Sequence, residues 1–335
     1  MTDSNDEIRA ALAEMGLARA DVDLAMVPLS GGVSCDVYAV DLPHRRICVK
    51  RALPKLRVAA DWRAPTDRSH AEVAWISLVA GIDPKLVPAI LGEDRRRHVF
   101  AMEYLPPERF ALWKTELAEG RIDAEFAAKV GEALARIHAA TAGRKDIAAA
   151  FDNGTQFHAL RIEPYLLFTA DRNPDVAEPI REIAKDVASS RVALMQGDIS
   201  PKNILRGPHG PVFLDAETAC FGDPAFDLAF CLNHLLLKGA WHPEHARALA
   251  SAFAALQAAY FDGASWESRS GLNLRAARLL AALLLARIDG KSPVEYLTVE
   301  KSKEFVRAQA KTFLTSAPLS LESIVDRWTD ALAAR

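Results

Sequence analysis

The chain has 335 residues, half of them apolar, and its formal net charge is −3 at pH 7. A chain of this size can bury a substantial core, so we expect two lobes or domains. The small net charge excludes the strongly basic surface that nucleic acid binding usually needs. Residues 1–6 are too polar and acidic for a signal peptide, and the longest apolar run, residues 279–286, is too short for a bilayer. We therefore expect no nucleic acid partner and no membrane role.

The cysteines carry a second compositional signal. Cys35, Cys48, Cys220 and Cys231 are scattered along the chain without a Cys-x-x-Cys pair. Most of them lie in apolar segments, which is typical of buried, reduced thiols. The pattern predicts a cytoplasmic protein without a zinc site.

The first part of the chain has the pattern of strands up to about residue 51. Gly31 and Gly32, followed by Ser34, precede the strand-like residues 37–40. Glycines at this point would let backbone N–H groups approach a phosphate without a side chain in the way. A Gly-Gly pair also forms ordinary hairpin turns, so both interpretations stay open.

A lysine and a glutamate follow in an informative order. Lys50 ends the apolar strand 47–49, and Glu72 lies in a predicted helix over 67–80. A strand lysine and a glutamate on the next helix form the ion pair that orients a lysine onto nucleotide phosphates. Either residue alone is more often an exposed surface charge.

Two more strands are predicted before residue 104. The second of them, residues 99–105, runs into Pro106 and Pro107, which end it. Its last residues are Glu103, Tyr104 and Leu105.

The rest of the chain is predicted to be mostly helical. Apolar residues recur at intervals of three and four along five segments. These segments are 123–141, 224–238, 242–261, 271–288 and 320–334. Short strands interrupt the helices near 192–215, with a tight turn at 207–211 between two of them.

The loop among these short strands has the residue types of a phosphoryl-transfer site. Asp198 precedes Asn203 by five positions, and Asp215 follows the apolar residues 212–214. Phosphoryl transfer to a hydroxyl needs a group that accepts its proton and oxygen ligands that hold Mg²⁺. Asp198 suits the first role, and Asn203 and Asp215 suit the second. Asp and Asn also bracket ordinary turns, which is the alternative interpretation.

The sequence motifs around this loop resemble those of a known family. It includes Gln196-Gly197-Asp198 with Asn203, then Leu214-Asp215-Ala216-Glu217, then Gly222-Asp223-Pro224 with Asp227-Leu228-Ala229. The three stretches resemble the aminoglycoside phosphotransferase-like small-molecule kinases, in which histidine usually stands at the position of Gln196. The resemblance implies that Asp198 is the catalytic base, that Asn203 and Asp215 bind metal, and that Asp227 braces the loop. A carboxylate at a helix start is an alternative explanation of Asp227.

The resemblance also implies a fold and a set of ligands. The fold would be α+β and bilobal, like that of protein kinases. An N-terminal antiparallel sheet lobe, residues 1–104, would bind the nucleotide, and a larger, mostly helical lobe, residues 105–335, would carry the catalytic loop and the acceptor site. ATP and Mg²⁺ would be the cofactors, and the backbone of Glu103, Tyr104 and Leu105 would hydrogen-bond the edge of the adenine ring. The acceptor would be a hydroxyl of a small polar metabolite, such as a sugar or an amino alcohol. We expect a monomer or a homodimer.

The N-terminal part is most similar to methylthioribose kinases. The similarity includes residues 50–54, Asp67-Arg68 and residues 112–114. It implies that the loop with Trp62 and Arg63 closes over the active site and contacts substrate, although Trp62 could equally cover the edge of the lobe. The adjacent arginine pair that those enzymes use on their substrate is missing here. A sugar acceptor therefore fits better than methylthioribose itself.

Polar residues within the helical lobe are the candidates for the acceptor site. They are Asn233, His234, Arg287 and Asp289, together with Glu217 beyond Asp215. Two other functions stay open. One is an aminoglycoside-modifying resistance kinase, and the other is a nucleotide-binding regulator of the same fold with little transfer activity.

Overall fold

The computed structural model describes residues 4–19, 22, 24–29, 35–54, 65–316 and 319–335. Five predicted site residues lie outside these ranges: Gly31, Gly32, Ser34, Trp62 and Arg63. Their roles at the phosphates and at the acceptor stay predictions.

Antiparallel strands form the N-terminal sheet. In the described residues the strand order is β1-β2-β3-β5-β4. The strands are β1 (Met26–Pro28), β2 (Cys35–Leu42), β3 (Arg45–Ala52), β4 (Ile90–Asp94) and β5 (Val99–Glu103). The sheet lies where the sequence predicts the strands.

Both faces of this sheet are covered. Helix α2 (Arg68–Ile82) packs through Val73 against Cys48 and Phe100 on one face. Alternate residues of a strand point to the same face, so Lys50 shares the face of Cys48 and points toward α2. The predicted helix over 67–80 is therefore confirmed in the position that the lysine needs.

The opposite face is covered by helix α1 (Ser4–Glu14), which the sequence analysis does not predict. Its buried side is formed by Ile8, Ala11 and Leu12, which pack against sheet residues such as Val49. Only three apolar residues mark this face among polar neighbours. The period of the helix is therefore weak in the sequence.

The remainder of the chain is mainly helical. Its helices are α3 (Trp113–Ala118), α4 (Ala124–Thr141), α5 (Lys145–Ala150), α6 (Gly154–Phe157), α7 (Phe168–Arg172), α8 (Ala177–Ser189), α9 (Ala225–Trp241), α10 (Ala246–Gly263), α11 (Arg269–Asp289), α12 (Glu300–Leu314) and α13 (Leu321–Ala333). A π-helical stretch, His158–Leu167, joins α6 to α7. The five predicted helices correspond to α4, α9, α10, α11 and α13, whereas the other helices of this list and the π-helical stretch are additional.

Short strands hold the catalytic loop. Strand β7 (Ala193–Met195) pairs with β10 (Cys220–Gly222), and β8 (Ile204–Gly207) pairs with β9 (Gly210–Phe213) and β6 (Ala111–Leu112). The loop that carries Asp198 runs from β7 to β8, and β9 leads toward Asp215. The predicted tight turn at 207–211 is confirmed as the hairpin between β8 and β9.

These observations confirm the predicted fold class, an antiparallel sheet lobe with a larger helical lobe. The last strand of the N-terminal sheet ends at Glu103, and the exact boundary after residue 104 stays a prediction. The four cysteines are free and buried. Among the described residues, no helix is long and apolar enough to cross a membrane.

The contact between α4 and α10 generates a prediction about stability. A Cβ atom at Gly131 would overlap the backbone carbonyl of Leu256, whereas a Cβ atom at Gly81, near the end of α2, would meet open space. We expect Gly131→Ala to lower the free energy of unfolding by about 1–3 kcal/mol, because the backbone of α10 must move. Gly81→Ala is the matched control and should raise it by up to about 1 kcal/mol. Urea denaturation of both variants measures the difference, and equal stabilities would contradict the packing described here.

Candidate active site

The loop after β7 is fixed by a buried carboxylate. Asp227, in the first turn of α9, accepts hydrogen bonds from the backbone N–H groups of Gln196 (2.7 Å) and Gly197 (2.8 Å). His138 lies 3.4 Å from the same carboxylate through Nε2, and its Nδ1 lies 2.9 Å from the hydroxyl of Tyr260. The expectation that Asp227 braces the loop is confirmed. His138, to which the sequence analysis assigns no chemistry, is a packed histidine that supports this brace.

Gln196 stands where the resembled family usually has histidine, and it holds the loop by other means. Its Nε2 donates to the carbonyl oxygens of Leu214 (2.7 Å) and Asp215 (3.0 Å), and its Oε1 accepts from the N–H of Asp198 (2.6 Å). The side chain is almost fully buried. One amide therefore supplies both the donor and the acceptor that tie the two aspartates together.

Asp198 and Asn203 contact each other directly. Asn203 Nδ2 lies 2.9 Å from Asp198 Oδ2 and also donates to the Asp198 carbonyl oxygen. The Asn203 carbonyl oxygen accepts from the N–H of Leu214 at 2.9 Å, which links it to the residue before Asp215. The structure thus brings together the predicted base and the two predicted metal ligands.

The backbone of Asp215 adopts a conformation that is rare for a residue with a side chain. Its φ angle is 64°, in the left-handed region. Non-glycine residues persist there only when their surroundings hold them, and such positions cluster at functional sites. The hydrogen bond from Gln196 to the Asp215 carbonyl is one of the contacts that hold it.

Lys50 lies among three carboxylates from different parts of the chain. Its Nζ is 2.7 Å from Glu72 Oε2, 2.5 Å from Asp215 Oδ1 and 3.3 Å from Glu217 Oε1. The predicted pair of Lys50 with Glu72 is present in the structure. The same ammonium also joins the sheet lobe to the segment that follows β9.

Glu217 lies between the side chains of Lys50 and Arg68. Its Oε2 accepts from Arg68 Nε at 3.0 Å, and its Oε1 accepts from the thiol of Cys35 at 2.6 Å. Arg68 is fully buried and also donates to the carbonyl oxygens of Leu53 and Pro65. Glu217 therefore faces the sheet lobe, and the predicted contact with metal or substrate stays a prediction.

The charged groups around Lys50 shift one another's pKa values. Burial raises the pKa of Glu72 to about 7, against the opposing charge of Lys50. Burial would also raise the pKa of Asp215, but the charges of Lys50, Lys202 and Arg161 lower it to about 2. Burial opposes the charge of Lys50, yet the carboxylates around it raise its pKa well above the usual value. Lys50 is therefore held as an ammonium, and Asp215 as a carboxylate.

The donor set of this region fits a hard divalent cation. The carboxylates of Glu72, Asp215 and Glu217 place ligand oxygens within 4.8 Å of one another, and because the Lys50 ammonium lies among them, a metal would bind beside this group. Mg²⁺ prefers carboxylate and amide oxygens of the kind that Asp215 and Asn203 offer. With the Lys50–Glu72 ion pair beside them, Asp215 and Asn203 fit a magnesium–nucleotide complex.

The predicted adenine-binding segment follows directly on the sheet. The Glu103 N–H donates to the carbonyl oxygen of Ala89 at 2.8 Å. The Glu103 N–H is therefore engaged within the protein, and Tyr104 and Leu105 lie just beyond the end of β5. Their role stays a prediction.

The predicted acceptor residues occupy different places. His234 is buried beside the Phe230 ring, with centroids 5.6 Å apart, and Asn233 is fully buried with no hydrogen-bond partner for its amide in the described part of the chain. Arg287 donates to the hydroxyl of Tyr165 at 3.1 Å. Asp289 is paired with Arg307 (2.9 Å) and is thus part of the contact between α11 and α12.

Two residues that the sequence analysis does not select contact the predicted base. Arg161 Nη2 lies 3.2 Å from Asp198 Oδ2, and Lys202 Nζ lies 3.0 Å from the same oxygen. Arg161 also donates to the Gly197 carbonyl oxygen at 2.6 Å. Lys202 could have been noticed beside Asn203. Arg161 gives no local signal, because it lies far away along the chain in the π-helical stretch.

Comparison with known proteins agrees with this geometry. The sequence model of the phosphotransferase enzyme family matches residues 25–272, which is more than half of the chain. The chain belongs to the phosphotransferase enzyme family. The matched range contains every predicted catalytic, nucleotide-binding and metal-binding residue, from Gly31 to Asp215. The predicted family resemblance is thereby confirmed.

The curated relatives of this phosphotransferase family member include methylthioribose kinases. The one from Escherichia coli O45:K1 is 26% identical over 232 residues, which cover 60% of this chain and 54% of that protein. The chain thus spans about half the length of the curated relatives it matches. The similarity to methylthioribose kinases is confirmed as a distant one.

Solved structures share the fold at low sequence identity. A choline/ethanolamine kinase family protein from Mesorhizobium loti is 17% identical, with a TM-score of 0.54 and 99% of both chains covered. A spectinomycin phosphotransferase, solved with ADP and spectinomycin, is 12% identical, with a TM-score of 0.51 and coverage of 95% of this chain and 98% of that one. These likenesses show the fold alone.

The bonding of Gln196 generates a prediction. Gln196→Ala leaves the Asp198 N–H and the Leu214 and Asp215 carbonyls without their partner in a buried site. We expect the free energy of unfolding to fall by about 1–3 kcal/mol, the usual cost of buried unsatisfied polar groups. Gln196→His keeps one ring donor and should lose less. Chemical denaturation measures both variants, and an alanine variant as stable as the parent would contradict this role.

Proposed function

We propose that this phosphotransferase uses ATP and Mg²⁺ to phosphorylate a hydroxyl of a small polar metabolite. The observation that carries the proposal is the position of Lys50, within 2.7 Å of Glu72 and 2.5 Å of Asp215. A lysine that joins the sheet, α2 and a metal-binding aspartate is the arrangement that kinases use to place nucleotide phosphates. The names of the curated relatives, methylthioribose kinases, support the same reaction class.

Asp198 is proposed to accept the proton of the attacking hydroxyl. Asn203, Lys202 and Arg161 all contact its Oδ2. We infer that Oδ1 is the oxygen that receives the proton, because the three contacts hold the carboxylate by its other oxygen. As the acceptor oxygen forms its bond to the γ-phosphorus, the bond from that phosphorus to the departing ADP would break, and the hydroxyl proton would move to Asp198.

The remaining residues would bind and neutralise charge. ATP would supply the phosphoryl group, and Mg²⁺ would offset the negative charge of its phosphates. Asn203 and Asp215 would provide oxygen ligands for the metal, and Lys50 would hold the phosphates in place. Lys202 and Arg161 place positive charge beside Asp198, where an acceptor and the transferred group would meet.

A regulator with this fold is the contrasting hypothesis. It predicts stabilisation by nucleotide without turnover of any acceptor. Thermal shift with ATP and MgCl₂, followed by an ATP-consumption assay with sugars, polyols, hydroxy acids, amino alcohols and aminoglycosides, separates the two. Stabilisation with turnover of at least one acceptor supports the kinase, and stabilisation without turnover of any supports the regulator. A cytoplasmic location and a monomer or homodimer stay predictions of the sequence analysis.

Substitution of the proposed base separates chemistry from nucleotide binding. Asp198→Asn keeps the size and an acceptor oxygen but cannot take a proton. We expect turnover to fall by roughly 10²–10⁴, the usual contribution of a positioned general base, with little change in ATP affinity. The control is Asp146→Asn on the surface, where the exposed Asp146 carboxylate pairs with Arg144 at 2.6 Å.

Steady-state kinetics and calorimetric titration with ATP provide the two readouts. A loss of ATP affinity as large as the loss of rate would mean that Asp198 serves the nucleotide. An unchanged rate would remove the central residue of the kinase proposal.

The metal site is tested through Asp215. Asp215→Asn removes a negative ligand charge from a hard cation, so we expect weaker binding of Mg²⁺–ATP and a higher magnesium requirement. Titration of activity and of thermal stabilisation with MgCl₂ measures the change. A variant that keeps the parent's magnesium dependence would show that Asp215 does not bind the metal.

A further inference from the structure

The acceptor side of the catalytic loop is rich in positive charge. Burial holds the pKa of His234 well below its usual range, and four nearby cations add to this effect. The cations are Arg287, Lys202, Lys238 and Lys114. We call these four residues and His234 the cationic cluster. Its members come from α3, the catalytic loop, α9 and α11, so only the fold brings them together.

Lys238 is the least expected member of this cluster. It is only 2% exposed, and its Nζ has no hydrogen-bond partner among the described residues. The ammonium lies 5.2 Å from the ring centre of Trp241 and 4.9 Å from that of Tyr296. Burial and the charge of Lys114 lower its pKa to about 8, although the charge of Glu295, which pairs with Lys114 at 2.5 Å, opposes this shift. A buried ammonium without a hydrogen-bonded anion among the described residues is costly for the fold, so its presence needs an explanation.

Arg287 has unused donor capacity as well. It is 8% exposed, and its Nη1 contacts the Tyr165 hydroxyl and Ser292. Its Nε is buried without a partner in the part of the chain that the structure describes. A planar guanidinium with a free donor is well suited to a carboxylate.

A continuous set of contacts connects this cluster to the proposed base. Arg161 lies 3.2 Å from Asp198, and its guanidinium lies 5.7 Å from the ring centre of Tyr165. Arg287 contacts the same tyrosine by donating to the Tyr165 hydroxyl. Lys202 contacts Asp198 directly at 3.0 Å. The cationic cluster therefore adjoins the proposed base through Lys202, and Arg287 is linked to the base through Tyr165 and Arg161.

We propose that the acceptor carries a carboxylate that binds to Lys238 and Arg287, so that the substrate is a hydroxy acid. The proposal rests on the proposed kinase function. A carboxylate would provide the anion that Lys238 lacks and accept from Arg287. The aromatic faces of Trp241 and Tyr296, which could otherwise bind a ligand cation, are already occupied by the ammonium of Lys238.

The same charges disfavour the cationic acceptors of the structural neighbours. An aminoglycoside or an amino alcohol would place positive charge beside Lys238 and Arg287. Like charges brought together in a partly desolvated site repel strongly. The hypothesis of an aminoglycoside-modifying enzyme is therefore disfavoured by the same residues.

Hydroxylated acceptors of similar size and different charge provide the test. One series is gluconate, glucose and glucosamine, and the other is glycerate, glycerol and serinol. We expect a carboxylate to exceed its neutral analogue in kcat/KM by about tenfold or more, as one charge-assisted contact would give, with the amine lowest. Turnover of only the neutral or cationic members would overturn this proposal while the kinase function stands. Sugar phosphates form an additional arm, and a preference for them over both carboxylates would also overturn it.

Variants with a binding readout make the test independent of catalysis. Lys238→Met removes the unpartnered ammonium and keeps an apolar chain of similar length, so we expect it to fold. Lys129→Met, on the exposed face of α4, removes the same charge far from the site and is the matched control. Calorimetric titration with gluconate and glycerate, without nucleotide, should show affinity about tenfold lower in Lys238→Met and unchanged in Lys129→Met.

The results of these titrations distinguish this proposal from the proposed kinase function. Carboxylate binding that depends on Lys238, but without any ATP turnover, would support the anion site and count against the kinase. Equal carboxylate affinity in Lys238→Met and the parent, or no binding of either carboxylate, would overturn the anion site. In that case a lower melting temperature of Lys238→Met would show that the ammonium serves only the fold.

Discussion

The buried carboxylate of Asp227 is the constraint on which both sides of the site depend. It accepts two backbone N–H groups of the catalytic loop and thereby fixes the loop to the first turn of α9. Loss of either partner would leave a buried charge undersatisfied, so the loop has little freedom to shift. About two turns later the same helix carries His234, and one further turn places Lys238. The loop of the proposed base and Lys238, one of the two proposed acceptor contacts, are thus supported by one helix.

Charge is divided between the two sides of Asp198. On the side of the sheet, three carboxylates face two cations, Lys50 and Arg68, which leaves an excess of negative charge for a metal ion. On the acceptor side, the cationic cluster supplies four cations, of which Lys114 is paired with Glu295. A metal–nucleotide complex and an anionic acceptor would each meet the opposite charge on its own side. This division can align two substrates whose own charges repel one another.

Most of the nucleotide side of the site could be predicted from the sequence. Asp198 and Asn203 belong to one loop, and Asp215 follows a short apolar strand, so their proximity depends on local spacing. The pairing of Lys50 with Glu72 depends only on a strand followed by a helix, because side-chain alternation then sets the face of the lysine. The family resemblance added Asp227, whose bonding to the loop the structure confirms. The sequence shows that Gln196 replaces the histidine usual in the family. Its hydrogen bonds to both sides of the loop could be seen only in the structure.

The acceptor side was decided by tertiary structure. Helix α9 is buried along its length from Ala225 to Ala240, so its sequence is apolar all round and periodicity cannot show which face Lys238 occupies. Arg161 reaches Asp198 only because the π-helical stretch packs against the catalytic loop. Asp289, equally polar in the sequence, pairs instead with Arg307. The sequence by itself determined the chemistry of the loop, since those groups are close along the chain. Only tertiary packing decided which distant charges face it, because burial and proximity between helices leave no local pattern.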